Sequence, residues 1–307
     1  MPELPEVEYT ARQLRAHCIG TTIEQADVFW ERTIGHPALP DFRAGIANRR
    51  IEQIRRRGKW LLFDLSGGLI LTIHRRMTGN LLLLPAGWEI DSGLRESDPA
   101  AWNRQGPLFH HDSDQNSYTH ELRYCRVCFS LSDGRKLLYT DPRKFGRIEL
   151  WPREQESEAL KGIGIEPLGE EFRVEWLKEA LRGRSRGIKQ VLLDQTVVAG
   201  LGNIYADEAL YSARIHPLRS SESLTAQEAR ALHESIVSVL TQAIEHGGTS
   251  FNDYRDLWGE AGDNYNHVHV YQRDGKPCER CGQIIERIVV AQRSTHFCPG
   301  CQKLIGE

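Results

Sequence analysis

The chain of 307 residues has no apolar run approaching the ~20 residues that a bilayer-crossing helix needs, so no membrane span is expected. Nothing at its start resembles a signal peptide, which points to a reducing, cytoplasmic setting where disulfides are not expected. There is no internal repeat and no low-complexity tract, so a solenoid or a long flexible linker is excluded. Methionine is scarce, with two residues. An excess of positive charge is also missing. The net charge is −3, which argues against a uniformly basic nucleic-acid binder. The distribution matters more than the sum. Segment 85–121 carries Glu89, Asp91, Glu96, Asp98, Asp112, Asp114 and Glu121 against Arg95 and Arg104, and the remainder is slightly basic.

The basic residues are clustered. Arg49-Arg50, Arg55-Arg56-Arg57 with Lys59, Arg75-Arg76, Arg143-Lys144 with Arg147, and Arg182, Arg184, Arg186 with Lys189 each lie beside a turn or a motif. Such runs are often solvated faces, but four or more beside turns favour phosphate contacts.

The two ends carry the strongest chemistry. Met1-Pro2-Glu3-Leu4-Pro5-Glu6-Val7-Glu8 opens the chain. Methionine before proline is normally removed, which leaves Pro2 with a free secondary amine. Such an amine attacks an aldehyde-like carbon to give an iminium ion, and Glu3 beside it can shuttle protons. The plainer reading is a helix start, with Pro5 and the acids in the first turn. At the other end, Cys278-Glu279-Arg280-Cys281 and Cys298-Pro299-Gly300-Cys301 stand sixteen residues apart. Two CxxC pairs at this separation predict one tetrahedral structural zinc site stapling a β-hairpin with a basic tip.

Between these ends, Leu4, Val7, Ala11 and Leu14 predict a helix over residues 3–17. Alternating runs from 22 to 84, 124–131, 136–139 and 147–150 predict an antiparallel sandwich. Residues 170–246 read as helical, with Ser223 as a helix cap, and 249–266 read as a mobile loop. The expected fold is α+β multidomain: an N-terminal antiparallel β-sandwich domain over 1–150 with an acidic insert at 85–121, a linker at 151–168, a helical DNA-binding domain at 169–266 and a zinc hairpin at 267–307.

Three motifs in order resemble the formamidopyrimidine-DNA glycosylase family. They are the Pro2-Glu3-Leu4-Pro5-Glu6-Val7-Glu8 start, the run Gln190–Glu208 containing Gly200-Leu201-Gly202-Asn203, and the zinc hairpin with Ala291-Gln292-Arg293. The resemblance covers nearly the whole chain apart from the insert. It implies a monomeric bifunctional glycosylase and abasic-site lyase acting on duplex DNA that carries 8-oxoguanine or a formamidopyrimidine. Pro2 would attack C1′, Glu3 would protonate the ring oxygen or assist the departing base, and β- and δ-elimination would follow. Lys59, in Arg57-Gly58-Lys59-Trp60, would transfer protons and contact phosphate. Met77, Arg143 and Phe145 would fill the gap left by the flipped base. Lys189 and Asn203 of the helix–two-turn–helix, with amides at the second helix N-terminus, would hold phosphate. Arg184 belongs to the same basic run. Arg126 stands where the family has a phosphate-contacting histidine. Arg293 would act in δ-elimination, and Cys278, Cys281, Cys298 and Cys301 would bind the one Zn²⁺.

Some residues have plainer readings. Glu6 reads as a helix-surface acid, and Cys18 as core. Cys125-Arg126-Val127-Cys128 lies in a strand, so its thiols should point to opposite faces. His110, His111 and His120 with Asp112 and Asp114 read as a solvated loop. Two other functions fit the motifs: an endonuclease VIII-like enzyme for oxidised pyrimidines, and a non-catalytic zinc-dependent DNA-binding protein.

Overall fold

The computed structural model describes residues 1–90, 109–110, 122–251 and 253–304. The acidic insert, with His111, Asp112, Asp114 and His120, lies largely outside them. The chain divides into two compact units. The first comprises Met1–Pro2, Glu6–Lys161 and Thr249–Gly262, and the second Glu3–Pro5, Gly162–Gly248 and Asp263–Glu307. Among the described residues no helix is long and apolar enough to cross a membrane.

In the first unit, helix α1 (Leu4–Cys18) sends Val7, Ala11, Leu14 and Cys18 into the core, the stripe that a 3.6-residue period dictates. Burial pushes the Cys18 thiol up to about 12. The strands are β1 (Thr22–Val28), β2 (Ile34–His36), β3 (Arg49–Arg57), β4 (Trp60–Leu65), β5 (Leu69–His74), β6 (Asn80–Leu84), the two-residue pair β7 (Glu89–Ile90) and β8 (Phe109–His110), β9 (Cys125–Leu131), β10 (Lys136–Thr140) and β11 (Arg147–Pro152). Nine of them run in the order β2-β11-β5-β4-β3-β1-β9-β10-β6, with β7 and β8 pairing apart. β1 and β3 share only Thr22↔Arg50 and Ile23↔Arg49. The ribbon therefore folds at that join, and Phe63, Leu71, Phe129 and Tyr139 from its two arms meet in one core with α1 and α2 (Leu39–Ile46). The expected sandwich is present with two departures, the first being that β2 pairs parallel to β11.

A second departure lies in β9. Tyr139 pairs with Val127 but Thr140 pairs with Cys125, so Arg126 is an extra residue. Its carbonyl accepts from both Phe29 N and Trp30 N. One inserted residue restores the side-chain phase. Cys125 and Cys128 therefore fall on the same face, buried with Leu82, Leu84 and Leu138, and not on opposite faces.

The described residues of 249–262 are not a free loop. Leu83 N donates to the Leu257 carbonyl (2.9 Å), Gln13 Nε2 to Asp256 (2.7 Å), and Leu257 is fully buried. The buried Glu6 carboxylate accepts from Thr249 N (2.8 Å), so Glu6 is an anchor for this segment and not a surface acid.

The short helix α3 (Glu156–Ala159) belongs to the first unit, and α4 (Val174–Leu181), α5 (Ile188–Leu193), α6 (Asn203–Ser212) and α7 (Ala226–Glu245) lie in the second. α5 stops at Leu193, because Asp194 Oδ1 accepts from Thr196 N and Oγ1 and turns the chain. α7 is capped by Thr225 in a capping box with Glu228, where Ser223 was expected. β12 (Glu286–Val290) and β13 (Arg293–Phe297) form the C-terminal hairpin.

Glu8 accepts from Arg15 (2.8 Å) and Arg56 (2.9 Å). Burial opposes its ionisation, but the two guanidinium groups outweigh that and its pKa is lowered from 4.5. A carboxylate depressed on folding adds stability above its unfolded pKa and loses it as pH falls through the folded value. Glu8→Gln should therefore lower Tm at pH 7, and the difference from the unsubstituted chain should shrink below pH 4.5. Thermal unfolding at pH 7, 5 and 3 checks this.

Candidate active site

Within the first unit the structure assembles the three residues expected to fill a vacated base position. Arg143 Nη1 donates to Met77 Sδ (3.3 Å), and its guanidinium carbon lies 4.8 Å from the Phe145 ring centroid. Phe145 is 52% exposed, an apolar ring held in solvent, where burial would be worth about 2 kcal/mol. The turn that presents it is organised by buried Asp141. Its carboxylate accepts from Thr78 Oγ1 (2.5 Å), Phe145 N (2.8 Å), Gly146 N (2.8 Å) and Arg143 N (3.2 Å). A Cβ at Gly146 would lie 1.6 Å from the Tyr139 hydroxyl, so only glycine fits there. Arg126 supports this turn from inside. It is buried and donates from Nε to the Asp141 carbonyl (2.8 Å), so it does not stand at the surface as a phosphate contact would.

Lys59 follows Gly58 in the β3–β4 turn and is 7% exposed, unlike an ordinary surface lysine. His74, opposite Trp60, has its pKa lowered to about 3 by burial and then by the Arg76 and Lys59 charges, and its Nδ1 accepts from Arg76 N (3.0 Å). His74 is thus neutral at pH 7. Several expected phosphate contacts are engaged inside the protein instead. Arg55 grips Asp64 and Glu156, Arg56 holds Glu8, and Arg75 is buried. Pro2 is buried, and Met1 before it is 44% exposed.

In the second unit, Glu3 meets the start of α6. Its carboxylate accepts from Ile204 N (3.1 Å) and Tyr205 N (3.5 Å), and Leu4 N donates to the Gly200 carbonyl (3.0 Å). The amides expected to hold phosphate are therefore occupied by the chain's own N-terminal segment. A Cβ at Gly202 would lie 2.2 Å from Glu3 Cδ, so the glycine admits Glu3.

Lys189 also departs from expectation. It is fully buried, forms an ion pair with Asp207 (2.6 Å) and donates to Thr295 Oγ1 (2.8 Å) and the Ser294 carbonyl (3.2 Å). With two hydrogen bonds, a close ion pair and no solvent exposure, the ammonium is engaged inside the unit and not offered to phosphate. Asn203 Nδ2 donates to the same Ser294 carbonyl (2.8 Å). Both residues hold the hairpin in place. Arg184 is half-buried, and its carbonyl accepts from Ser221 Oγ (2.5 Å), while Arg186 pairs with Asp194 (3.1 Å).

The hairpin turns on Ala291 (φ 48°) and Gln292 (φ 59°). Two left-handed residues match a two-residue β-hairpin turn, but for alanine that conformation costs about 1–2 kcal/mol. The exposed tip presents Gln292 and Arg293. At its base the sulfurs of Cys278, Cys281, Cys298 and Cys301 lie within 4.8 Å of one another, with 3.9 Å between Cys278 and Cys301 and 3.4 Å between Cys281 and Cys298. Zinc–sulfur bonds of about 2.3 Å place tetrahedral sulfurs about 3.8 Å apart, so the four thiolates fit one Zn²⁺. The ion would contribute folding energy and no reactive position.

The sequence reading missed Asp141 as the organiser of the Phe145 turn. An Asp followed by Pro and then by free amides is a turn signal that could have found it. It also missed the Glu3–α6 contact and the buried Arg75, for which no local signal exists.

Comparison with known proteins agrees along the length of the chain. Residues 1–148 match the formamidopyrimidine-DNA glycosylase N-terminal domain, 163–255 the H2TH domain of the same enzymes, and 275–304 the zinc finger found in FPG and IleRS. The formamidopyrimidine-DNA glycosylase of Roseiflexus sp. (strain RS-1) is 41% identical over 304 residues, covering 99% of this chain and all of that protein. That of Lactiplantibacillus plantarum is 42% identical over 306 residues, with 99% and 100% covered. Among solved structures, a Lactococcus lactis FPG variant complexed with DNA containing Fapy-dG superposes with TM-score 0.83 at 34% identity, covering 99% of this chain and 100% of that one. The L. lactis Fpg complex with abasic-site DNA gives 0.82 at 34% identity, with 98% and 100% covered.

Two outcomes are expected from this geometry. Metal analysis should find one zinc per chain, and Cys281→Ser should remove it and weaken DNA binding. Gly202→Ala should displace the Glu3 carboxylate and lower cleavage of lesion-containing DNA about 10- to 100-fold with little change in DNA affinity. Gel-shift and single-turnover assays separate the two quantities.

Proposed function

Because the chain belongs to the formamidopyrimidine-DNA glycosylase family, we propose that it is a DNA repair glycosylase that excises 8-oxoguanine and formamidopyrimidines from duplex DNA and then cuts the strand. The observation that carries this reading is the fixed carboxylate of Glu3, next in sequence to Pro2 and held by the α6 amides. After Met1 is removed, the Pro2 amine attacks C1′ of the damaged nucleotide. The bond to the base breaks, the amine gives up its proton, and the C1′–O4′ bond then opens to leave the iminium, with Glu3 supplying a proton to the sugar ring oxygen or to the departing base. The resulting iminium acidifies the sugar, and β- then δ-elimination break the strand on both sides. Lys59 assists proton transfer and binds phosphate near the lesion. Arg293 binds flanking phosphates and serves the second elimination.

Extruding a nucleotide costs a few kcal/mol of unstacking. Met77, Arg143 and Phe145, clustered and partly exposed, suit the role of filling the gap. Lys189 and Asn203 act indirectly, by holding the hairpin that carries Arg293. Reduced cysteines for zinc suit a cytoplasmic protein working on nucleoid DNA as a monomer. An L. lactis relative has also been crystallised with DNA containing an oxidised pyrimidine, so lesion preference is a real second question. Parallel assays on 8-oxoguanine and thymine-glycol duplexes decide it.

Borohydride tests the mechanism. It should link the protein to DNA containing 8-oxoguanine or an abasic site, with the adduct at Pro2. Pro2→Gly should weaken trapping, and Glu3→Gln should block excision while sparing some incision at a preformed abasic site. Undiminished trapping with a blocked N-terminus would make a lysine the nucleophile, and absence of trapping would favour a non-catalytic binder.

A further inference from the structure

We propose that Arg75 is a positioning residue that ties the Met77 turn to residues 253–255, and that excision of a damaged base depends on this tie far more than incision at a site already lacking its base. The proposal rests on the glycosylase reading given above.

Arg75 begins the turn that carries Met77, and Gly79 N closes that turn on the Arg75 carbonyl (3.0 Å). Its side chain is 1% exposed and reaches three separate segments. Nε donates to the Gly79 carbonyl (2.8 Å) within the turn. Nη1 donates to Thr10 Oγ1 (2.9 Å) on α1. Nη2 donates to Asn80 Oδ1 (2.6 Å) and to the Arg255 carbonyl (3.3 Å), and the guanidinium carbon lies 5.2 Å from the Tyr254 ring centroid. Asn80 completes the clasp, donating to the Asp253 carbonyl (2.7 Å) and accepting from Arg255 N (3.1 Å).

Among the described residues no carboxylate forms an ion pair with Arg75. A buried cation whose hydrogen bonds go to neutral acceptors, with the Glu6 and Asp256 carboxylates acting on it only from beyond ion-pair distance, is expensive, and an apolar side chain would fill the space without that cost. What the guanidinium adds is direction. Five donors in a rigid fork fix α1, the Met77 turn and residues 253–255 against one another. Leu257 is anchored separately, by Leu83 and Gln13, so loss of Arg75 frees the preceding residues and Met77 without releasing the whole segment. Filling the gap behind a flipped base demands placement of the Met77 turn that this tie fixes; an abasic sugar offers no base to hold and costs least to extrude.

The test uses full-length Arg75→Met and Asn80→Ala, with single-turnover excision of 8-oxoguanine and single-turnover incision of a preformed abasic site. Arg75→Met should lower excision about tenfold or more, as loss of charged hydrogen bonds predicts, and leave abasic incision within about twofold. Limited proteolysis within 249–255 should quicken. The double variant should be scarcely worse than Arg75→Met alone, because both residues serve one clasp. An equal fall in both reactions, or a fall in neither, overturns the proposal. If Arg75→Met does not fold, Asn80→Ala, which keeps the cation, must show the same split or the proposal fails. An unsubstituted protein that performs neither reaction would instead sink the glycosylase reading on which it rests.

Discussion

The Asp207 carboxylate sits without solvent exposure in the middle of the second unit, and much of that unit is arranged around it. Lys189 pairs with one oxygen, and the backbone amide of His296 donates to the other (2.9 Å). A lone buried carboxylate would be prohibitive, and removing one member of a buried pair typically costs about 3–5 kcal/mol. The geometry is therefore strongly specified: α5, α6 and β13 must meet where these charges meet. Next along α6, Glu208 accepts from the amides of His269, Val270 and Tyr271, fixing the approach to the zinc hairpin. One helix thus carries Glu3 at its start, the ion pair in its middle and, through Tyr211, the Cys278 sulfur near its end.

The first unit solves a different problem. Its exposed Phe145 and partly exposed Met77 lie on turns, where backbone freedom is greatest and placement least secure. Both turns are held from beneath by buried polar groups, Asp141 under the Phe145 turn and Arg75 beside the Met77 turn. The Thr78–Asp141 bond links the two turns directly. Preorganised side chains lose little entropy when they act, which suits the proposed filling of a base-sized gap.

Local signals in the sequence determined a good deal. The 3.6-residue stripe of α1, the alternation of the strands, the paired CxxC motifs and the Pro2-Glu3 start all depend on near neighbours or on fixed ligand chemistry, so they were legible. The α7 cap was misplaced by two residues only because a Thr225–Glu228 box competes with Ser223. Tertiary structure alone decided which charges face outward. Lys189, Arg75, Arg126 and Arg55 read as phosphate contacts in sequence, yet each is engaged by acceptors far along the chain. The same is true of Gly202, whose missing side chain admits Glu3, some 200 residues earlier in sequence, in place of phosphate. A side chain's partners at long sequence separation are set by how layers pack, and a basic or glycine-rich run carries the same local signal whether it meets DNA or its own fold.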